Sequence, residues 1–393
     1  MTDLMNYDLS LSSIVEDLEL PESAYLKAKK RYDDISEWLG RDDSTCSMLS
    51  PHIFPQGSFR LGAAIKPIDS SEKYDLDIAC TLRSGITKRS HSQSQLKALI
   101  GIEIEAYKLA RGIKEKIEEK HRCWRLDYQD DMSFHMDIVP CIPAVAEKQQ
   151  RILEAMIMAG SGEDIARKVS QLSVSITDNR LSGYGDISDD WLISNPEGYA
   201  KWFEAQINKQ PMWLTEAKAE VDQLPLFKRK SPLQRAIQIL KRHRDQMFAD
   251  DPDVKPISVI ITTMAAKAYN GESNIPETLE TIIQEMSRFV SANSSDVPNP
   301  VNPQENFADR WSMPECSHLR LKENFYLWVA QVRTDMEILA SSNDANSIME
   351  QAQTKFASQI DRKKLPGSLR EPPATSPKVQ IISTPTARPW RKP

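Results

Sequence analysis

No apolar run in this sequence approaches the roughly eighteen residues that a membrane-crossing helix needs. The first residues, MTDLMNYDLSLSSIVEDLEL, are acidic and amphipathic and lack the basic-then-apolar layout of a secretory signal. Cysteine is sparse. Cys46, Cys80, Cys123, Cys141 and Cys316 form an odd, scattered set without a C-x-x-C pair, which argues against a disulfide frame and a zinc site. A surplus of positive charge is lacking too: 50 Lys and Arg stand against 56 Asp and Glu, for a net charge of −6. That is the wrong sign for a protein whose main task is to wrap nucleic acid, although a local basic groove stays open to it. These absences point to a cytoplasmic globular protein with reduced thiols and no membrane partner.

What is present is enough chain, 393 residues, for two or three domain-sized units. Residues 1–50 read as a helical segment: Tyr25, Leu26, Ile35, Trp38 and Leu39 fall near helical spacing, with Ser23 as candidate cap. Over 51–200 the texture changes. His52–Phe54 and Tyr74–Leu82 read as strands joined by a loop with Gly57, Gly62 and Pro67. Residues 93–121 read as a helix, 122–139 as a hairpin turning at Gln129-Asp130-Asp131, and 150–200 as mixed and loop-rich. Over 201–362 helical patterns dominate, at 197–209, 231–248, 255–270, 277–292 and 321–361, with the proline-rich Val297–Pro303 between them. Residues 363–393 hold seven prolines and seven Lys or Arg against one acid, which reads as a disordered tail. An α+β half followed by a helical half predicts a two-lobed enzyme with its site in the cleft between them.

Residues 55–80, PQGSFRLGAAIKPIDSSEKYDLDIAC, carry the chemistry. Strand alternation puts Leu76, Ile78 and Cys80 on one face and Asp75 and Asp77 on the other, roughly 6–7 Å apart. An exposed edge strand would explain two such aspartates cheaply. Burying them unpaired costs several kcal/mol, roughly, and their repulsion raises one pKa; a divalent cation removes both penalties. Three features favour the cation. Gly57-Ser58, upstream, can bring backbone N–H groups and a hydroxyl to phosphate oxygens. Asp137 sits in the apolar strand FHMDIVP, an expensive place for an acid outside a metal site; Asp127, Asp130 and Asp131 are rivals, two of them explained by the turn. His135 shares the Asp137 face and is expected to be structural. The segment Lys228–Arg244 carries seven Lys or Arg and no acid, so Lys241 or Arg242 can reach a triphosphate from the other lobe, although a solvated basic face is the plainer reading. Together these describe two-metal phosphoryl transfer, with Asp75, Asp77 and Asp137 as ligands and Mg²⁺ (Mn²⁺ as substitute) favoured by an oxygen-only donor set.

Taken in order from about residue 50 to 335, PQGSFRLGAAIKP, YDLDIAC, FHMDIVP, LKRHRD and NPVNPQENFADRW resemble the bacterial CD-NTases. These are the cyclic GMP–AMP synthase and DncV-like nucleotidyltransferases of the SMODS type, within the DNA polymerase beta superfamily. The resemblance implies a polymerase-beta-type core, a mixed sheet with helices, and a helical lobe. It implies synthesis of a cyclic di- or trinucleotide from ATP and/or GTP with release of pyrophosphate, for anti-phage (CBASS) signalling through a separate effector. Defence-operon regulatory proteins are further implied partners, and a monomer is expected. By the same resemblance Gly57 and Ser58 match the triphosphate-binding turn, with Gln56 adjacent to it, and Asp75, Asp77 and Asp137 match the metal acids. Lys241 matches the helical-lobe lysine that contacts the nucleotide phosphates and Ser258 the serine that follows it; Asp309 is expected to face the nucleotide cleft, with a helix-capping acid as the equal alternative. Ala63-Ala64 departs from the threonine many relatives carry there. No His-plus-Cys cluster matches a zinc insertion, so activation by DNA is not expected, and the ending Arg391-Lys392-Pro393 differs from the small residue that relatives conjugate. A linear oligonucleotide synthase or RNA-modifying nucleotidyltransferase is the alternative enzyme. A nucleotide-binding regulator is the alternative outside catalysis, and the complete acid set argues against it.

Overall fold

The computed structural model describes residues 2–69, 72–129, 134–208, 230–342 and 344–365. Lys228 and Arg229 of the basic segment, the hairpin-turn acids Asp130 and Asp131, and the tail beyond Leu365 lie outside them. No helix of the described residues is long and apolar enough to cross a membrane.

The two opening helices go to different places. Helix α1 (Thr2–Leu18) buries Leu11, Ile14 and Leu18 with the C-terminal helices, whereas α2 (Glu22–Gly40) buries Ala28, Tyr32, Ile35 and Leu39 against the sheet. Pro21, extended at φ −60° and ψ 146°, starts α2 without a side-chain cap, so Ser23 lies inside the first turn and is not the cap. A proline suits this place because the first N–H groups of a helix have no partner to lose.

The sheet is built from β1 (Pro51–Gln56), β2 (Tyr74–Leu82), β3 (Glu118–Glu119), β4 (Trp124–Tyr128), β5 (Phe134–Pro143), β6 (Val174–Ile176) and β7 (Leu192–Ser194). Its order is β1-β2-β5-β4-β3, with β6 pairing β5 and β7 pairing β6. β1 and β2 run antiparallel, β2 and β5 parallel, and β5 and β4 antiparallel, which is the expected mixed sheet. The apolar face carries Leu76, Ile78, Leu126, Phe134, Met136 and Ile138 and is covered by α2 and by α4 (Gln93–Ala110). α4 opens on a capping box between Ser92 and Gln95 and stops eleven residues short of the expected end. Gly112, at φ +64°, turns the chain out, and Glu118-Glu119 pairs with β4 instead of continuing the helix.

Helices α5 (Ala146–Met158), α6 (Glu163–Ser170) and α7 (Pro196–Asn208) lead to the second lobe. That lobe comprises α8 (Pro232–Met247), α9 (Ser258–Ala268), α10 (Ile275–Ser291), α11 (Leu321–Ser341) and α12 (Ala345–Phe356). The run expected at 321–361 is two helices, because Asp344 caps a new start by accepting from the Ser347 N–H at 2.9 Å. The proline-rich 297–303 segment forms the small hairpin of β8 (Pro298–Asn299) and β9 (Asn302–Asn306).

Helix α8 joins the lobes. Gln234, Gln238, Lys241 and Arg242 are spaced by four, three and one along it and share a face. They donate in turn to the carbonyls of Leu61 (2.9 Å), Ala64 (2.8 Å), Ala63 (2.9 Å) and Lys66. The loop that follows the glycine-serine turn is thereby stitched to the helical lobe through its backbone. Ala63 and Ala64, both buried, contribute carbonyls there, and no side-chain hydroxyl is needed.

Candidate active site

Strand register assembles the site. Gln56 on β1 lies opposite Asp77 on β2, Asp77 opposite Asp137 on β5, and Asp137 opposite Arg125 on β4. Paired residues on neighbouring strands project to one face, so four side chains from four strands form one row across the sheet. The next row holds Asp75, His135 and Asp127. Asp127 is bound by Lys73 at 2.8 Å and by His135 Nδ1, which ties this histidine and this acid into a structural pair with a lysine.

Above the row runs a cleft of about 830 Å³ between the lobes. Gln56, Gly57, Ser58, Asp75, Asp77, Lys241 and Ser258 all line it. Gly57 begins the one-turn helix α3 (Gly57–Arg60) at φ +69°, so close to Asp77 that a Cβ there would lie 2.0 Å from Asp77 Oδ2. Lys241 reaches in from α8, and Ser258 Oγ accepts from Arg244 at 2.9 Å. Asp137 is placed differently. Arg125 holds both of its oxygens, Nε to Oδ1 at 2.7 Å and Nη2 to Oδ2 at 2.8 Å, and it does not line the cleft. The cost of an acid in this apolar strand is therefore met by an arginine on the partner strand, without need of a metal. Asp309 is exposed and lines a smaller neighbouring cavity of about 290 Å³ with Arg122, Lys148 and Arg151, outside the main cleft.

Asp75 and Asp77 carry no hydrogen bond or ion pair among the described residues. Burial raises the Asp77 carboxyl to about 7, helped by Asp75 and Asp137 and opposed by Arg125 and Lys241. Burial likewise raises Asp75, against the pull of His135 and Arg125. Lys241 is pulled down to about 8 by burial and then by Arg244. Two carboxylates on one face of β2 without a protein cation, one of them against a glycine, are a fitting oxygen donor set for a divalent ion. Among the described residues no three His, Cys, Asp or Glu side chains converge into a metal cage, since Asp137 faces Arg125 instead.

A pH signature follows. The folded value of Asp77 lies above its ordinary 3.8, so the stability gained by protonation is complete below 3.8 and is lost as pH rises through about 7. A divalent ion competes with that proton, so less of the carboxylate is open to it the further pH falls below that value. Added Mg²⁺ is expected to raise the melting temperature by on the order of a few degrees at pH 8 and by almost nothing at pH 5.5. Thermal denaturation with Mg²⁺ against chelator measures it; equal shifts at both pH values count against the site.

Arg125 is the residue that sequence reasoning missed. Its partner could have been found from the hairpin itself, because the register that pairs 128 with 134, 127 with 135 and 126 with 136 brings 125 opposite 137. Lys255, Thr262, Tyr199 and Phe307, which also line the cleft, gave no local signal.

Comparison with known proteins adds three findings. A family model described as cyclic GMP-AMP synthase DncV-like, nucleotidyltransferase domain, matches residues 51–141, the span of the carboxylate rows. A c-di-GMP synthase of Roseivirga ehrenbergii is 30% identical over 311 residues, covering 77% of this chain and 72% of that protein. The cyclic dinucleotide synthase CdnG of Bradyrhizobium diazoefficiens is 26% identical over 317 residues, covering 77% and 70%. In fold, the solved structure of that CdnG with GTP superposes with a TM-score of 0.64 at 20% identity, over 91% of this chain and 98% of the other. Vibrio cholerae DncV, a cyclic AMP-GMP synthase, superposes with a TM-score of 0.55 at 13% identity, over 91% and 98%.

Proposed function

Since this chain belongs to the bacterial CD-NTases of the DncV-like type and is a cyclic oligonucleotide synthase, we propose that it joins nucleotides by two-metal phosphoryl transfer on the Asp75–Asp77 pair. The observation that carries the mechanism is that pair itself: two carboxylates without a protein cation lining the interlobe cleft, with Asp77 directly against Gly57.

Asp75 and Asp77 would hold Mg²⁺, with Asp137 joining from the next strand. Bound Mg²⁺ would neutralise the triphosphate and lower the pKa of the attacking hydroxyl. The protein's own groups orient the reactants. The Gly57-Ser58 turn offers its N–H groups and the Ser58 hydroxyl to phosphate oxygens. Lys241 adds a positive charge from α8, and Arg244 fixes the Ser258 hydroxyl toward the same cleft. Because α8 is bonded to the loop after the turn, both sides of the triphosphate site are set by one helix. Positioning of this kind supplies much of the barrier reduction in phosphoryl transfer.

GTP is the favoured substrate, with ATP as the other candidate, since one relative is named for c-di-GMP and another was solved with GTP. The product is proposed as a second messenger that activates a separate effector in anti-phage defence, a role carried by the family. The purified protein, incubated with the four labelled NTPs and Mg²⁺, is expected to give a phosphatase-resistant product containing guanosine, identified by mass spectrometry with nuclease mapping of its linkages. Label lost entirely to phosphatase, or transferred only onto added RNA, would reject the cyclic product.

A further inference from the structure

The row Gln56, Asp77, Asp137, Arg125 contains a charge that the proposed chemistry leaves unused. Arg125 is half-buried, and its planar guanidinium lies in bidentate contact with Asp137, taking both carboxylate oxygens at 2.7 and 2.8 Å. The antiparallel register of β4 and β5 fixes the two residues opposite each other, so the pair is set by the sheet and not by a chance side-chain rotamer. Parallel pairing then puts this ion-paired acid directly beside Asp77, whose carboxylate has no protein partner among the described residues. Of three neighbouring acids, one is neutralised by the protein and two are left open.

We propose that Arg125 is a positioning residue that keeps Asp137 engaged while the cleft is empty, so that the free protein offers a divalent ion Asp75 and Asp77 alone. Asp137 becomes a ligand when a cation competes for its oxygens, and Arg125 then remains as the fixed charge behind it. This rests on the two-metal reading above. Two physical effects give the direction. A guanidinium fork occupies one lone pair on each carboxylate oxygen, leaving fewer for a cation, and its positive charge repels a dication a few ångströms away. An arginine suits this role better than a lysine, whose single ammonium cannot cover both oxygens.

The test uses the full-length protein without nucleotide and counts bound Mn²⁺ by electron paramagnetic resonance. Arg125→Gln is expected to bind Mn²⁺ at least about tenfold more tightly than the wild type, through loss of the adjacent charge and release of Asp137. Adding Asp137→Asn to that variant is expected to remove most of the gain. Arg125→Lys is expected to fall between wild type and Arg125→Gln, and circular dichroism melts establish that each variant is folded. If Arg125→Gln does not fold, Arg125→Lys decides alone, a gain of a few-fold supporting the proposal. Unchanged or weaker Mn²⁺ binding in these variants, with binding abolished in Asp75→Asn/Asp77→Asn, overturns the role of Arg125 and leaves the metal pair standing. Binding that survives Asp75→Asn/Asp77→Asn overturns the metal pair, and the proposal with it.

Discussion

Replacing Asp75 and Asp77 together by alanine is expected to abolish nucleotide transfer, by at least about 10³-fold, while the fold survives. The size follows from the several kcal/mol, roughly, that metal ions contribute to stabilising a phosphoryl transition state, at about 1.4 kcal/mol per tenfold. The survival of the fold has a separate cause. The two carboxylates lie on the polar face of β2, and neither makes a hydrogen bond or ion pair among the described residues. The core contacts of that strand come from Leu76, Ile78 and Cys80 on the other face. In chelator at pH 8 the double variant is expected to melt at or above the wild-type temperature, because it removes a repelling pair whose pKa values burial has raised. Product analysis and thermal melts on the same preparation check both halves. Retained transfer would refute the site assignment; a large fall in melting temperature would refute the claim that the pair is held for function at the expense of stability.

Gly57→Ala is the second large effect, and it reaches the same acids through the backbone. At φ +69° any other residue is strained by roughly 1–2 kcal/mol, and the added Cβ would lie 2.0 Å from Asp77 Oδ2, nearer than real carbon–oxygen contacts allow. Either the turn or the carboxylate must move. Displacing a catalytic group by about 1 Å costs on the order of 10²-fold, so kcat/KM is expected to fall by about that factor while stability falls by only about 1–2 kcal/mol. Steady-state kinetics beside thermal melts separate the two. Activity within a few-fold of wild type would mean that the glycine serves only the turn. Both variants should also lose the pH-dependent stabilisation by Mg²⁺, one by removing the ligands and the other by moving one of them.

Much of this site was legible in the residues themselves. Period-two alternation along Tyr74–Leu82 separated the two aspartates from the apolar face, and Gly57-Ser58 upstream gave them a phosphate partner, because strand geometry and glycine's conformational freedom are local properties. The change from mixed to helical texture near residue 200 located the cleft for the same reason. Local signals failed where elements end. The helix after Gln93 stops at Ala110 because a left-handed glycine and a pairing strand outcompete further turns, and the last helical run splits at a new cap.

What only the tertiary structure decided is which charges meet. Asp77 and Asp137 stand 60 residues apart, and their alignment depends on the parallel register of β2 with β5. That register is set by packing Leu76, Ile78, Met136 and Ile138 under α2 and α4, a long-range condition that periodicity does not contain. The same holds for Arg125, whose place opposite Asp137 gives the third acid an ion-pair partner from within the sheet. It holds again for Lys241, which reaches the cleft because α8 is bonded to a loop some 170 residues earlier. Sequence by itself determined the chemistry available to this protein; folding determined which of its acids are free to use it.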